Sequence, residues 1–543
     1  MGSGADFHGT KDVLGHTYRE ETEMRTARAI ITLVLIAVLA ATVVGCSGGN
    51  AAKPVATKTV IMARPSDSEN LDPVIQDGNV NIWMFNLVME GLVKTDSQGT
   101  RNDVPSLATE WHFADDKKSI TFTLRSGVKF SDGTPLTVED VIFSLDRARL
   151  SEKSPWQFSL EAIDKVEATD KQHVKVSLKQ PWAPILADLA MFNATITSKA
   201  YFEKVGPEGF SQKPLGTGPF EFAEWKKGEY ILVKKNLYYW DKGKPLVDEV
   251  KITVVPDDNT RIMQLQGGQV DMIENVPFSR VAELQKDPNI NMLLVPSTQT
   301  ARIGMNNTKK PLDDVRVRNA LAYGTDVDAL IKIVLFGVGE RATSFTPKGS
   351  MWNPNIKARP YDPEKAKQLL AEAGHPDGFA VEFSVTAGSA SQIEIATVLK
   401  EQWAKIGVKV TIKQLDNLTL RSYSHALQHD VMIGSWTNDI VDPSQHTEYM
   451  CITEVSKNQW TGWGMVSSRI AEVEKLAQSG KEELDPQKRQ EIYYRIQEIV
   501  DEEMPIIPLY YTPYTFATSK KITGFVQTPL GNYRFENLDK VTK

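Results

Sequence analysis

The sequence predicts an α/β protein with mixed sheets, and three observations carry that expectation. Strand-like and helix-like stretches alternate irregularly, without the even strand–helix–strand repetition of an all-parallel sheet. No unit of about 20–50 residues recurs, which excludes a solenoid or propeller. No low-complexity linker interrupts residues 59–543, so any lobes are joined by ordinary crossing segments. At 543 residues the chain has room for several domains of about 100–200 residues each.

The elements follow from periodicity and end signals. Lys58 to Ala63 is a strand candidate, and Ser119 to Leu124 alternates strictly before Arg125-Ser-Gly127 breaks it. Thr137-Val-Glu-Asp140 has a capping-box layout, with Asp in place of Glu, ahead of the apolar Val141, Ile142 and Phe143. His173 to Leu178 alternates again, and Tyr230 to Lys234 is a further strand after the turn at Lys227-Gly228. Asp362-Pro363 starts a helix whose apolar face is Ala366, Leu369, Leu370 and Ala373, with Gly374 past its end. Ile393 to Ile406 reads as a second helix, followed by a strand from Val408 to Ile412. Val431 to Gly434 reads as a strand feeding an irregular polar loop. Glu482 to Val500 reads as one long helix, ended by the proline-rich Pro505 to Tyr514.

Composition narrows the function classes. A formal charge of −7 argues against a nucleic-acid partner. The mean hydropathy of −0.30 excludes a polytopic membrane protein. Two cysteines, Cys46 and Cys451, cannot form a disulfide framework or a four-thiolate zinc site.

One apolar segment stands out. Ala29 to Gly45 follows Met24-Arg25-Thr-Ala-Arg28, the layout of a secretory signal, and is shorter than the roughly 20 residues of a spanning helix. Val43-Val-Gly-Cys46 resembles the lipobox of bacterial lipoproteins. In such proteins the leader is cut before the cysteine, whose nucleophilic sulfur accepts a diacylglyceryl group. Residues 1–45 are thus expected to be a leader, with the true start at Met24, and 46–57 a lipidated tether. Cys451 is then left alone and reads as a buried space-filler.

Familiar catalytic signatures are absent from the sequence. The chain has no G-x-S-x-G elbow, H-E-x-x-H, C-x-x-C or phosphate loop. His425 and His429, four apart, would share one helix face and could hold a metal with Asp430 or His446; a solvated helix face explains the spacing better. Neither a catalytic residue, a cofactor nor a metal is therefore expected. The more telling feature is the aromatic and polar stretch around Trp436, Asn438, Asp439, Trp460 and Trp463, where a strand end supplies the mixture that lines ligand pockets.

Several segments in order resemble the bacterial extracytoplasmic solute-binding proteins of the peptide/nickel class, family 5. They include Leu107 to Asp116, Thr121 to Leu136, Glu139 to Ser144, Pro214-Leu-Gly-Thr-Gly-Pro-Phe220 and Asn236-Leu-Tyr-Tyr-Trp240. Gln264 to Asp271, Asp314 to Tyr323, Tyr361 to Lys367 and Ala373 to Gly378 follow. The resemblance implies a two-lobed periplasmic-binding-protein-like fold (type II, large cluster C form), with an extra subdomain in the N-terminal lobe. Lobe I would take residues 58–298, lobe II 299–510, and 511–543 would return to lobe I. The crossings are expected near Pro296–Arg302 and Pro508–Tyr514, with ligand trapped between lobes by hinge closure.

The resemblance also implies a role. The chain would be a monomeric, lipid-anchored receptor outside the cytoplasm that delivers a solute to the permease subunits of an ABC importer. In peptide-binding members a Trp-x-x-Asp segment sets its aspartate against the peptide's ammonium group, and Trp436-Thr-Asn-Asp439 matches it. Asp439 is the expected anchor, Asp442 its rival, and Trp436, Asn438 and Trp460 the expected neighbours. The loop Arg64 to Asn70 matches a cleft-lining loop and contributes Ser66. The dipeptide branch places an arginine after the Gly-Phe-x-apolar strand, whereas Val385 to Gln392 has none. A longer peptide is thereby favoured over a dipeptide, with a metal chelate or oligosaccharide as the alternative cargo and an exported enzyme as a remote one.

Overall fold

Alternating strands and capped helices assemble into two large sheets, a four-stranded one and three two-stranded ribbons in the computed structural model, which describes residues 57–541 apart from Asp77, Ser350 and 454–459. The expected leader, residues 1–45, and Cys46 lie outside the described residues. Among those described, no helix is long and apolar enough to cross a membrane.

The first sheet runs Ile290–Val295, Tyr514–Ser519, Met272–Glu274, Thr59–Arg64, Glu249–Val254, Tyr230–Lys235, Phe220–Lys226. It is mixed: Thr59–Arg64 is parallel to both its neighbours, and the outer pairs are antiparallel. The second sheet runs Glu340–Arg341, Ile506–Tyr511, Thr300–Met305, Val431–Trp436, Ala380–Thr386, Lys409–Leu415. Here Ala380–Thr386 is parallel to both neighbours and Thr300–Met305 antiparallel to both of its own. Each sheet has its own apolar core, one around Val60, Phe220, Val250 and Phe516, the other around Ile303, Leu321, Phe383 and Trp403. The fold is thus two-lobed and α/β.

Two short segments join these sheets, residues 296–299 and 512–513. They run side by side: Ser297 donates to the Thr512 carbonyl, and the Thr512 hydroxyl donates to Gln299 at 2.8 Å. Residues 514–519 then enter the first sheet between Ile290–Val295 and Met272–Glu274, so the chain's end completes the lobe that its beginning started.

A third, four-stranded antiparallel sheet (Ala108–Phe113, Ser119–Leu124, His173–Leu178, Ile163–Ala168) forms a subdomain of lobe I. The helix Val138–Leu150 covers it, with Val141 and Leu145 packed beside Phe122 and Val174. The capping box there is complete: Thr137 accepts from the Asp140 backbone and Asp140 from that of Thr137. Two of the sequence motifs meet at buried Glu90, which accepts from Thr217 at 2.9 Å and from Trp240 at 3.0 Å. Gly216 explains its own position, because a Cβ there would lie 2.2 Å from the Val88 carbonyl oxygen.

Two expectations need correction. The long helix is Pro486–Glu503, capped by Asp485, and Glu482 instead ends a separate helix, Ile470–Glu482. Asp485-Pro486 is the same start signal as Asp362-Pro363. His425 and His429 do not share a helix either: Asn417–His425 ends there, and Leu427 takes φ 51°. His429 is wholly buried, not a solvated face.

Candidate binding site

The strand Val431–Trp436 points its C-terminal end into the space between the lobes, and the loop after it carries Asp439. Bonds to the joining segment 296–299 hold this loop. Asn438 donates from its backbone to the Thr298 hydroxyl at 3.0 Å, and Thr298 in turn donates to the Pro529 carbonyl at 3.0 Å. The loop is therefore tied to one of the two segments that join the lobes.

A cavity of about 460 Å³ opens beside it, inside the range of about 300–1,000 Å³ usual for small-molecule sites. Lobe II supplies most of the wall, including Thr386, Gln392, Arg421, Gly434, Trp436, Asp439, Tyr449 and Trp460; Gly78, Asn79 and Trp156 come from lobe I. The lobes already touch here. Tyr449 packs on Trp436 with ring centres 4.0 Å apart, and on Trp156 and Phe158 of lobe I at 5.9 and 5.5 Å.

Asp439 is buried, and Gln445 grips one side of it. Gln445 accepts from the Asp439 backbone at 2.8 Å and donates to Oδ2 at 3.0 Å. Oδ1 has no hydrogen-bond partner among the described residues. With that oxygen unanswered, burial pushes the carboxyl up to about 7, with the Gln445 bond opposing it. A buried acceptor without a donor costs about 1–3 kcal/mol, so the site is poised for a cationic donor from outside.

Asp442 behaves differently. It caps the helix Pro443–Cys451 through the Ser444 backbone at 2.9 Å, and both its oxygens meet Arg489 at 2.7 Å. It is already paired on both sides and offers a ligand nothing.

The other expected residues fall in three places. Trp436 and Trp460 line the cavity. Asn438 is wholly buried behind it, where its Oδ1 accepts from Trp436 Nε1 at 2.9 Å and fixes the indole. Ser66 is exposed and is not among the cavity-lining residues; its neighbour Ser68 is buried and accepts from Arg64 at 2.9 Å. Trp463 is core, donating to Glu503 at 2.7 Å, and Cys451 is core beside it, with burial raising its thiol far above the usual range.

Trp460 is held from two sides. Its ring lies flush on Gly434, where a Cβ would approach a ring carbon to 2.1 Å. Its carbonyl accepts from His429 Nε2 at 2.7 Å, and burial lowers that imidazole to about 4, so the ring is neutral. Gln445, Tyr449 and Trp156 are not legible in the sequence, and His429 reads there only as a metal-ligand candidate, because their roles arise from tertiary placement. Only the Asp442-Pro443 start signal hinted that Gln445 sits in a first helical turn.

Comparison with known proteins agrees with this architecture. Residues 103–458 match the family described as bacterial extracellular solute-binding proteins, family 5 middle. The dipeptide-binding protein of Escherichia coli K12 is 30% identical over 522 residues, covering 90% of this chain and 95% of that protein. The glutathione-binding protein GsiB of the same strain is 30% identical over 489 residues, covering 89% and 95%. Among solved structures, the periplasmic binding protein DppA from Helicobacter pylori in complex with the peptide STSA superposes with a TM-score of 0.78. It is 28% identical, over 89% of this chain and 98% of that one. A chain with this two-lobed fold, this cleft and this match belongs to the family 5 bacterial extracellular solute-binding proteins.

Proposed function

We propose that the protein is the solute-capturing component of an ABC importer and that it takes peptides by their α-ammonium group at Asp439. The observation that carries this reading is the buried, unanswered Oδ1 on the cavity wall. An ammonium supplies the missing donor and charge together, and a charge-assisted bond of that kind is about twice as strong as a neutral one. Trp436 and Trp460 form the apolar walls against which peptide side chains pack, with Asn438 holding Trp436 in place. Ser66, exposed outside the cavity, is the weakest member of the proposed set.

A peptide longer than two residues is the favoured ligand. The 385–392 loop brings Thr386 and Gln392 to the cavity and no arginine, whereas the cation lining it is Arg421 on the helix Asn417–His425. Thermal-shift titration with di-, tri- and tetrapeptides, glutathione, a nickel–histidine chelate and an oligosaccharide tests the reading. Stabilisation by tri- and tetrapeptides is expected. Stabilisation by the chelate or the sugar and by no peptide would replace it with the alternative cargo.

We further propose that Cys46 carries the lipid anchor, that the protein works as a monomer outside the cytoplasm, and that the permease subunits are its partners. Metabolic labelling with an alkyne fatty acid should mark the wild type and leave Cys46→Ser unlabelled.

A further inference from the structure

Away from the cavity, a lysine links the two lobes directly. Lys481 lies near the end of the lobe II helix Ile470–Glu482 and is 6% exposed. Its ammonium meets Glu161 of the lobe I subdomain at 3.0 Å and both oxygens of Glu448 of lobe II at 3.2 Å. The same residue's carbonyl accepts from Ala183 of lobe I at 2.7 Å, and its neighbour Glu482 accepts from Gln180 at 3.0 Å. The ammonium also lies 4.9 Å from the ring centre of buried Trp182. Burial works against this charge, but Glu448 and Glu161 outweigh it and hold Lys481 above the usual lysine range.

None of these groups lines the ligand cavity. Yet Glu448 shares the helix Pro443–Cys451 with Gln445, which grips Asp439, and with Tyr449, which lines the cavity. Gln445 and Glu448, three residues apart, lie on one side of this short helix, so the lobe link and the residue that grips Asp439 are neighbours.

We propose that Lys481 and Glu161 form a closure clasp that sets ligand affinity without touching the ligand. The clasp exists only while the subdomain rests against lobe II, so it weights the lobe equilibrium toward the closed form. Removing it lowers affinity by the same factor as it depletes the closed population. The proposal rests on the reading of the cleft as a solute site, but the link itself is independent of which solute binds.

The test pairs two measurements on the full folded chain. Glu161→Gln removes the cross-lobe counter-charge of the ammonium and leaves Lys481 with Glu448; Lys481→Met keeps an unbranched apolar stem over Trp182. Small-angle scattering without peptide should show a larger radius of gyration for both variants. Calorimetry with a tetrapeptide should show affinity down about fivefold for Glu161→Gln. The double variant should lose no more than Lys481→Met alone, since both changes break one link. Unchanged scattering and unchanged affinity for Glu161→Gln would overturn the clasp. If the tetrapeptide binds no form of the protein, the peptide reading falls, and scattering alone then decides the clasp.

Discussion

Asp439 and Asp442 lie three residues apart on one loop, and each leaves 6% of its surface exposed. Asp442 meets a guanidinium with both oxygens and caps a helix; Asp439 meets one amide and keeps one oxygen unanswered. Burial is the same, so the partners decide what each carboxylate does. The paired one holds the helix Pro443–Cys451 in place. The unpaired one is the proposed site, because the fold bears a cost there that a ligand's donor would relieve.

The comparison is broken most severely at the paired end. Asp442→Asn leaves Arg489 buried without its counter-charge and should destabilise the protein by about 3–5 kcal/mol; thermal unfolding would show it as a large fall in Tm. The same change at Asp439 should do the opposite: Asp439→Asn keeps Tm or raises it. It should nevertheless weaken peptide binding by about 3 kcal/mol, more than a hundredfold. If the two substitutions shift Tm alike, the distinction between them is wrong.

Titration sharpens the contrast. Without ligand, Asp439 keeps its proton up to about pH 7, whereas an unfolded chain releases it near pH 4. Between those values the folded state binds more protons, so this residue makes stability fall as pH rises through the window. Binding runs the other way. An ammonium needs the carboxylate, so affinity should fall about tenfold per pH unit below 7. At pH 7 binding should release protons, visible as a calorimetric heat that depends on the buffer's ionisation enthalpy. Asp439→Asn should lose both dependences.

The smallest expected effect is at the cavity wall. Gly434→Ala drives a methyl into the Trp460 ring and should cost about 1–3 kcal/mol of packing there. Changed tryptophan fluorescence and a modest loss of affinity are the signs. An unchanged emission spectrum would mean that the indole is not held where the structure has it.

Much of the framework is written in local pattern. Ser119–Leu124 and His173–Leu178 alternate because one face is buried and the other is not, and the structure returns both strands. Asp362-Pro363 marks a helix start because proline suits the first turn and aspartate caps it. The pattern misled where two helices adjoin, since helix-favouring residue types continue through Leu484, although the first helix ends at Glu482 and the next starts at Asp485-Pro486. At the site, Trp436 and Asp439 were legible as a segment. The difference between Asp439 and Asp442 was not, because it depends on Arg489 and Gln445 arriving from a distant helix and from the next turn. The clasp is less legible still: Glu161 and Lys481 are 320 residues apart.

Calorimetry of one tetrapeptide with a free and with an acetylated amino terminus, against wild type and Asp439→Asn, tests the central claim most directly. The free peptide should bind the wild type tightly and the variant weakly, and the acetylated peptide should bind both weakly. Equal affinity of the wild type for the two peptides would contradict Asp439 as the ammonium anchor.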